Sequence, residues 1–131
     1  MKSTANLTTE RPTFVSHLEC GLTGKHYPAG EPHNLSEAGK PLLVCYDLPA
    51  LKVALSRRAL TGRPEDLWRY RELLPVTKAQ NIISLGESVT PLVRLDWTGS
   101  STVLVKDEAR LPTGSFKARG LCLAVSMAKE L

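Results

Sequence analysis

The sequence has no long apolar run. Its longest stretches, such as Leu42-Leu43-Val44-Cys45, are far too short to span a bilayer. No apolar segment follows Met1-Lys2-Ser3-Thr4-Ala5-Asn6, so no signal peptide is expected. Cysteine is scarce. Three residues, at positions 20, 45 and 122, are an odd number without regular spacing. That argues against a disulfide framework and makes a reducing cytoplasm the expected setting. Runs of one charge are missing too. With 17 Lys+Arg against 13 Asp+Glu the net charge is +4, and no basic run exceeds two residues. A nucleic-acid footprint is therefore not expected, nor is a membrane partner. What remains, 131 residues that are 42% hydrophobic and 23% charged, is an ordinary globular composition, which excludes collagen, coiled coil and wholesale disorder. The length fits one domain, or one domain with a small appendage.

Residues 1–12 are polar and read as a frayed lead-in. Thr13 to Leu18, with β-branched and aromatic residues, predicts a short strand, and Leu42 to Tyr46 a second. Between them, from Gly21 to Pro41, four glycines and three prolines predict turns in place of regular structure. Together these make a small β-rich unit over residues 1–46. Asp47-Leu48-Pro49 then predicts a helix start, with Asp47 as N-cap and Leu48, Leu51 and Leu55 on one face. Thr61-Gly62-Arg63-Pro64 breaks that helix. Pro64-Glu65-Asp66 opens another, with Leu67, Tyr70 and Leu74 as its buried face and Pro75 at its end. Ile82–Leu85 and Leu92–Leu95 are apolar segments, and Thr102–Lys106 is the strongest strand signal. Phe116–Leu131 is the strongest helix signal, with Leu121, Val125 and Ala128 in register and an apolar face expected to stand exposed.

The segment Lys106 to Gly120 carries the chemistry. It reads as a strand end, a turn containing Pro112 and Gly114, and a helix start with Lys117 in its first turn. The positive end of a helix dipole disfavours an ammonium ion there, and a neutral amine is what Schiff-base chemistry requires. Thr113 and Ser115 place hydroxyls at the same helix end, as caps or as ligands for an anionic group. On spacing alone, a solvated surface lysine behind a capping hydroxyl accounts for the same residues.

Pro112-Thr113-Gly114-Ser115-Phe116-Lys117-Ala118-Arg119-Gly120 resembles the cofactor-attachment motif of the fold type II (tryptophan synthase β) superfamily of pyridoxal-phosphate enzymes, in the form most typical of threonine synthases. Leu67–Pro75 and Leu85–Leu92 are similar, in that order, to segments leading into the threonine synthase catalytic core. Val103–Glu108 is similar to the strand before the lysine. Cys20–Leu48 resembles an N-terminal extension that many of these enzymes carry. The resemblance implies an α/β architecture: a degenerate zinc-ribbon-like extension over residues 1–46, then over 47–131 the start of a fold type II domain, truncated. It also implies pyridoxal 5'-phosphate as cofactor and an amino-acid substrate. Lys117 would be the attachment and catalytic residue, with Thr113 and Ser115 as weaker cofactor-site candidates. Homo-oligomerisation of a full-length enzyme is left open. No Gly-rich phosphate cradle occurs up to Leu131, so the chain reads as an N-terminal fragment or a short relic, inactive by itself. Other lyases of the superfamily, deaminating threonine or diaminopropionate, are the alternative, and a non-catalytic remnant is a third reading.

Two departures stand out. Ser88 replaces a glycine usual in the Gly86-Glu87-Ser88 loop, which matters if that position needs positive φ. The Cys-x-x-Cys knuckles of the extension are lost: Thr23 stands three residues after Cys20, and the stretch Leu35–Leu42 has no cysteine. Cys20, His17, His26 and His33 match no standard zinc spacing, so no metal is expected. Cys45 and Cys122 are expected to be buried as small hydrophobes.

Overall fold

The computed structural model describes residues 12–96, 99 and 102–131; the polar lead-in, apart from Pro12, lies outside the described residues. Three strands form an antiparallel sheet in the order β2-β1-β3: β1 is Val15–Cys20, β2 His26–Tyr27 and β3 Leu42–Tyr46. The first strand starts later than its composition suggests, because the Thr13 hydroxyl accepts a bond from the Val15 N–H at 3.2 Å and turns the chain there. The Gly/Pro-rich stretch is mostly turns, yet His26 and Tyr27 pair with Glu19 and Leu18, which adds a two-residue strand that composition hides. Phe14 joins the sheet to the helical segments beyond it. Its N–H donates to Glu72 O at 2.8 Å, and its carbonyl accepts from Asp47 N at 2.9 Å.

Helix α1, Leu48–Ala54, begins as expected: the Asp47 carboxylate accepts from Ala50 N at 3.0 Å, with proline in the first turn. It buries none of its residues, so its leucine stripe is only half covered. The second helical segment, Leu67–Leu73, is a 3-10 helix interrupted at Tyr70 (φ −106°, ψ 33°) and capped by Asp66 on Arg69 N. A 3.6-residue period cannot run through that break. Trp68, Glu72 and Leu74 are buried and Leu67 packs against the same core, but Tyr70 is 44% exposed, which corrects the expected face of Leu67, Tyr70 and Leu74 at Tyr70 alone. Glu72 tolerates burial because Arg63 grips it with two bonds of 2.8 and 2.7 Å. That pairing holds the Glu72 carboxyl below its ordinary range.

Strands β4 (Leu92–Leu95) and β5 (Val103–Lys106) pair antiparallel, Leu92 opposite Lys106. Leu92, Val93, Val103, Leu104 and Val105 are all exposed. A strand pair apolar on both faces is built to be covered on both. Helix α2, Lys117–Glu130, packs Cys122 into a small core with Trp68, Leu74 and Val76. Its buried stripe is Ala118, Cys122 and Ser126, one position away from the Leu121–Val125 register. The reason is polar. α2 lies on the irregular stretch 77–83, whose backbone needs partners: Ser126 Oγ accepts from Ile83 N at 2.9 Å, and the Glu130 carboxylate accepts from the N–H groups of Thr77 and Lys78. Leu121 and Val125 are left more than half exposed, the open apolar face expected of this helix. No helix among the described residues is long and apolar enough to cross a membrane.

Candidate active site around Lys117

Lys117 is the first residue of α2 and is exposed. Gly114, at φ +63°, turns the chain between β5 and α2, a conformation that costs a residue with a Cβ about 1–2 kcal/mol. The two hydroxyls of the turn serve the backbone. Ser115 Oγ accepts from the Lys117 N–H at 3.3 Å, and Thr113 Oγ1 donates to Ser115 O at 3.4 Å. The cap position itself falls on Phe116, which has no side-chain cap bond. Among the described residues the Lys117 ammonium has no hydrogen-bond or ion-pair partner, and with Phe116, Gly120 and Leu121 it lines an open, mostly apolar cleft. Thr113 lines the neighbouring apolar cleft with Leu85, Leu121 and Val125, and Glu87 borders it. The structure thus brings Thr113, Ser115 and Lys117 to one helix start. The amine is free there, and the hydroxyls are engaged locally.

A charged network fixes that helix start, and no spacing rule in the sequence marks it. Arg119, one residue beyond Ala118 in the first turn, forks onto Glu108 with Nε–Oε2 at 2.8 Å and Nη2–Oε1 at 3.0 Å, and the same Nη2 donates to Ser88 O at 2.8 Å. Thr90 donates its hydroxyl to Glu108, and Lys106 Nζ donates to Thr90 O. One guanidinium therefore ties α2 to both the end of the β5 segment and the Gly86–Thr90 loop. Ser88 needs no positive φ: Gly86 carries it at +90°, so the serine in place of glycine leaves the turn intact. Glu87 is 1% exposed. Its carboxylate accepts from the Ser84 hydroxyl at 2.6 Å and from Leu85 N at 3.1 Å. Burial pushes its pKa up, but these bonds and the charge of Arg119 outweigh it and hold the carboxyl below its ordinary value.

The bond from Arg119, then that from Thr90, depresses Glu108 from 4.5 to about 2. A depressed carboxyl stabilises the fold above its unfolded pKa. The Glu108 contribution is therefore complete above about pH 4.5 and lost as pH falls toward about 2. Urea unfolding across pH 2–6 should show a Glu108→Gln variant with a shallower acid limb than the parent. Identical limbs would mean that the pair does not hold the turn.

At the end of β1, Cys20 is buried and its thiol donates to Ser36 Oγ at 3.1 Å, while Thr23 N donates to Sγ at 3.5 Å. Hydrogen bonding, Ser36 first, lowers this thiol from 9.0 to about 6. Cys122 behaves oppositely. Burial, with the Glu87 charge adding, pushes it up to about 11, in keeping with a packing role. Cys45 is only half-buried, which corrects the expectation of a buried side chain.

Against known proteins, the chain is 39% identical over 116 residues, 86% of its length, to a threonine synthase of Methanocaldococcus jannaschii, of which the match covers 29%. It is 33% identical over 120 residues to a threonine synthase of Methanosarcina acetivorans, again 29% of that protein. A shorter match of 67 residues, at 45% identity, covers 19% of a threonine synthase of Halalkalibacterium halodurans. The chain spans under a third of the length of these curated relatives. No family model and no solved structure matches it.

Proposed function

We propose that this chain, related over most of its length to the N-terminal portion of threonine synthases, carries the cofactor-attachment lysine of such an enzyme. The full enzyme would belong to threonine biosynthesis and convert O-phosphohomoserine and water to threonine and phosphate. The observation that carries the reading is the unpartnered Lys117 amine at an exposed helix start, within a chain 39% identical to a threonine synthase over 86% of its length. In this reading residues 1–46 are a degenerate zinc-ribbon-like extension and 47–131 the start of a fold type II domain.

The residues present fit pyridoxal phosphate at one end. A free amine stands in an apolar cleft beside Phe116 and Leu121, next to a helix start that favours negative charge. When bound, that cofactor supplies an electron sink for a substrate carbanion. Lys117 would hold it covalently and then, freed by the substrate amine, take and return protons at the substrate's Cα, Cβ and Cγ. Thr113 and Ser115 would orient the lysine backbone, and the Arg119–Glu108 pair would hold the whole turn in place. The exposed apolar faces of β4, β5 and α2 support the reading that more protein packs here, since a surface of that kind is rarely left to water.

The test on this chain is chemical trapping. After incubation with pyridoxal phosphate and borohydride reduction, peptide mapping should find Lys117 labelled ahead of every other lysine. Uniform labelling would count against the assignment. Threonine formation by the 131-residue chain alone is expected to be absent, because a dianionic phosphate held by few groups gains too few hydrogen bonds to be retained. Measurable turnover would show that no further protein is needed.

A further inference from the structure

The sheet of the extension carries a second cluster, unrelated to Lys117. His17 and Glu19 are two residues apart on β1 and so share a face, and Glu19 is the register partner of His26 on β2. Among the described residues these three form the one group of metal-ligating side chains whose ligand atoms all lie within 4.8 Å of one another. The rings of His17 and His26 stand 3.9 Å apart at 32°, and His26 Nε2 is 3.3 Å from Glu19 Oε2.

The decisive detail is the proton on His17. Pairing between β1 and β3 shifts register between Val15 and His17, so that Ser16 and His17 both meet Cys45. The Ser16 hydroxyl donates to Cys45 O at 3.2 Å. Its one proton is then spent, so at 2.9 Å it accepts from His17 Nδ1. With the hydroxyl proton assigned to Cys45 O, the ring proton is assigned to Nδ1 and the lone pair to Nε2. That Nε2 is buried and, among the described residues, has no hydrogen-bond partner. A buried ring nitrogen without a partner is an exception in folded proteins, and an imidazole whose other N–H is held by an oxygen is the arrangement of a metal-ligating histidine.

We infer that His17, Glu19 and His26 form a binding site for a first-row divalent cation such as zinc. Two imidazole nitrogens and one carboxylate oxygen suit zinc, cobalt or nickel; magnesium and calcium prefer all-oxygen shells. Three protein ligands leave a fourth position to water. Ligands about 2.0–2.2 Å from a tetrahedral ion lie roughly 3.3–3.6 Å apart, so the cluster must draw in by about 1 Å. The movement falls to Glu19 and His26, whose side chains are 37% and 62% exposed, while Ser16 holds His17 still. Cys20 takes no part, because it faces Ser36 within the knuckle. The site is therefore different in residues and place from a Cys-x-x-Cys ribbon, and it runs against the expectation from sequence that the extension holds no metal.

Untagged, metal-free protein titrated with Zn²⁺ by calorimetry, and with Co²⁺ by visible absorption, should bind one equivalent without a thiolate charge-transfer band. His26→Gln, at an exposed position that folding does not depend on, should weaken binding at least tenfold, as should His17→Ala. Ser16→Ala, which removes the Nδ1 partner together with the hydroxyl's bond to Cys45 O, should weaken it about 10–100-fold. Cys20→Ser should leave it unchanged. Absence of saturable one-to-one binding, undiminished affinity in His26→Gln, or loss of binding in Cys20→Ser would each overturn the site.

Discussion

A Lys117→Ala variant of a longer protein carrying this segment is expected to lose the visible absorbance of bound pyridoxal phosphate and about 10²–10⁴-fold in turnover. The amine would be both the point of covalent attachment and the group that moves protons, so one substitution removes two functions. The fold gives no competing reason for the loss. Lys117 is exposed, makes no side-chain bond among the described residues, and alanine is the best helix former for its position at the start of α2. Far-UV circular dichroism and thermal midpoint should therefore stay near the parent's. Lys117→Arg should fail equally, because a guanidinium keeps a positive charge that an amine can shed. Full turnover and retained absorbance in the alanine variant would remove Lys117 from the chemistry and leave it as a surface residue.

Much of this was legible in the chain, and the rest fails for identifiable reasons. Asp47 sits where its chemistry places it, because an N-cap is decided by a carboxylate and the backbone three residues on, whereas Asp66, read as part of the helix opening, stands one residue before the helix as its cap. The 3.6-residue period located α2 and its open apolar face, but not the stripe that it packs with. Periodicity counts apolar residues, whereas α2 lies on a loop whose amides demand Ser126 and Glu130, and Leu121 and Val125 are left facing outward. The Lys117 turn was visible as a motif, but its clamp was not. Asp107 and Glu108 are equally plausible partners for Arg110 and Arg119 on spacing, and only the fold sends Asp107 to Arg110 and Glu108 to Arg119. The three donors of the sheet face were equally hidden. His26 reaches Glu19 through a two-residue strand inside a glycine-rich stretch, which composition reads as turn.

Glu87→Ala is expected to destabilise the chain by about 2–3 kcal/mol, a fall in thermal midpoint of roughly 10 °C. The carboxylate is 1% exposed and serves as acceptor for the Ser84 hydroxyl and the Leu85 N–H. Removing it leaves those donors unpaired and takes away a negative charge that faces Arg119. Glu87→Gln should cost less, since an amide oxygen still accepts one of the two bonds while the charge is lost. Because the native carboxyl is held below its ordinary value, the stability it contributes is present above about pH 4.5 and fades as pH falls. The gap between parent and Glu87→Gln should therefore narrow on acidification. A second readout separates this from general loosening. Glu87 helps keep the Cys122 thiol protonated, near 11, so removing the charge should speed alkylation of Cys122 in Glu87→Gln, where the loop keeps its shape. An unchanged midpoint for Glu87→Ala would mean that water satisfies the loop as well as the carboxylate does. The Gly86–Thr90 turn would then be held against α2 by Arg119 alone.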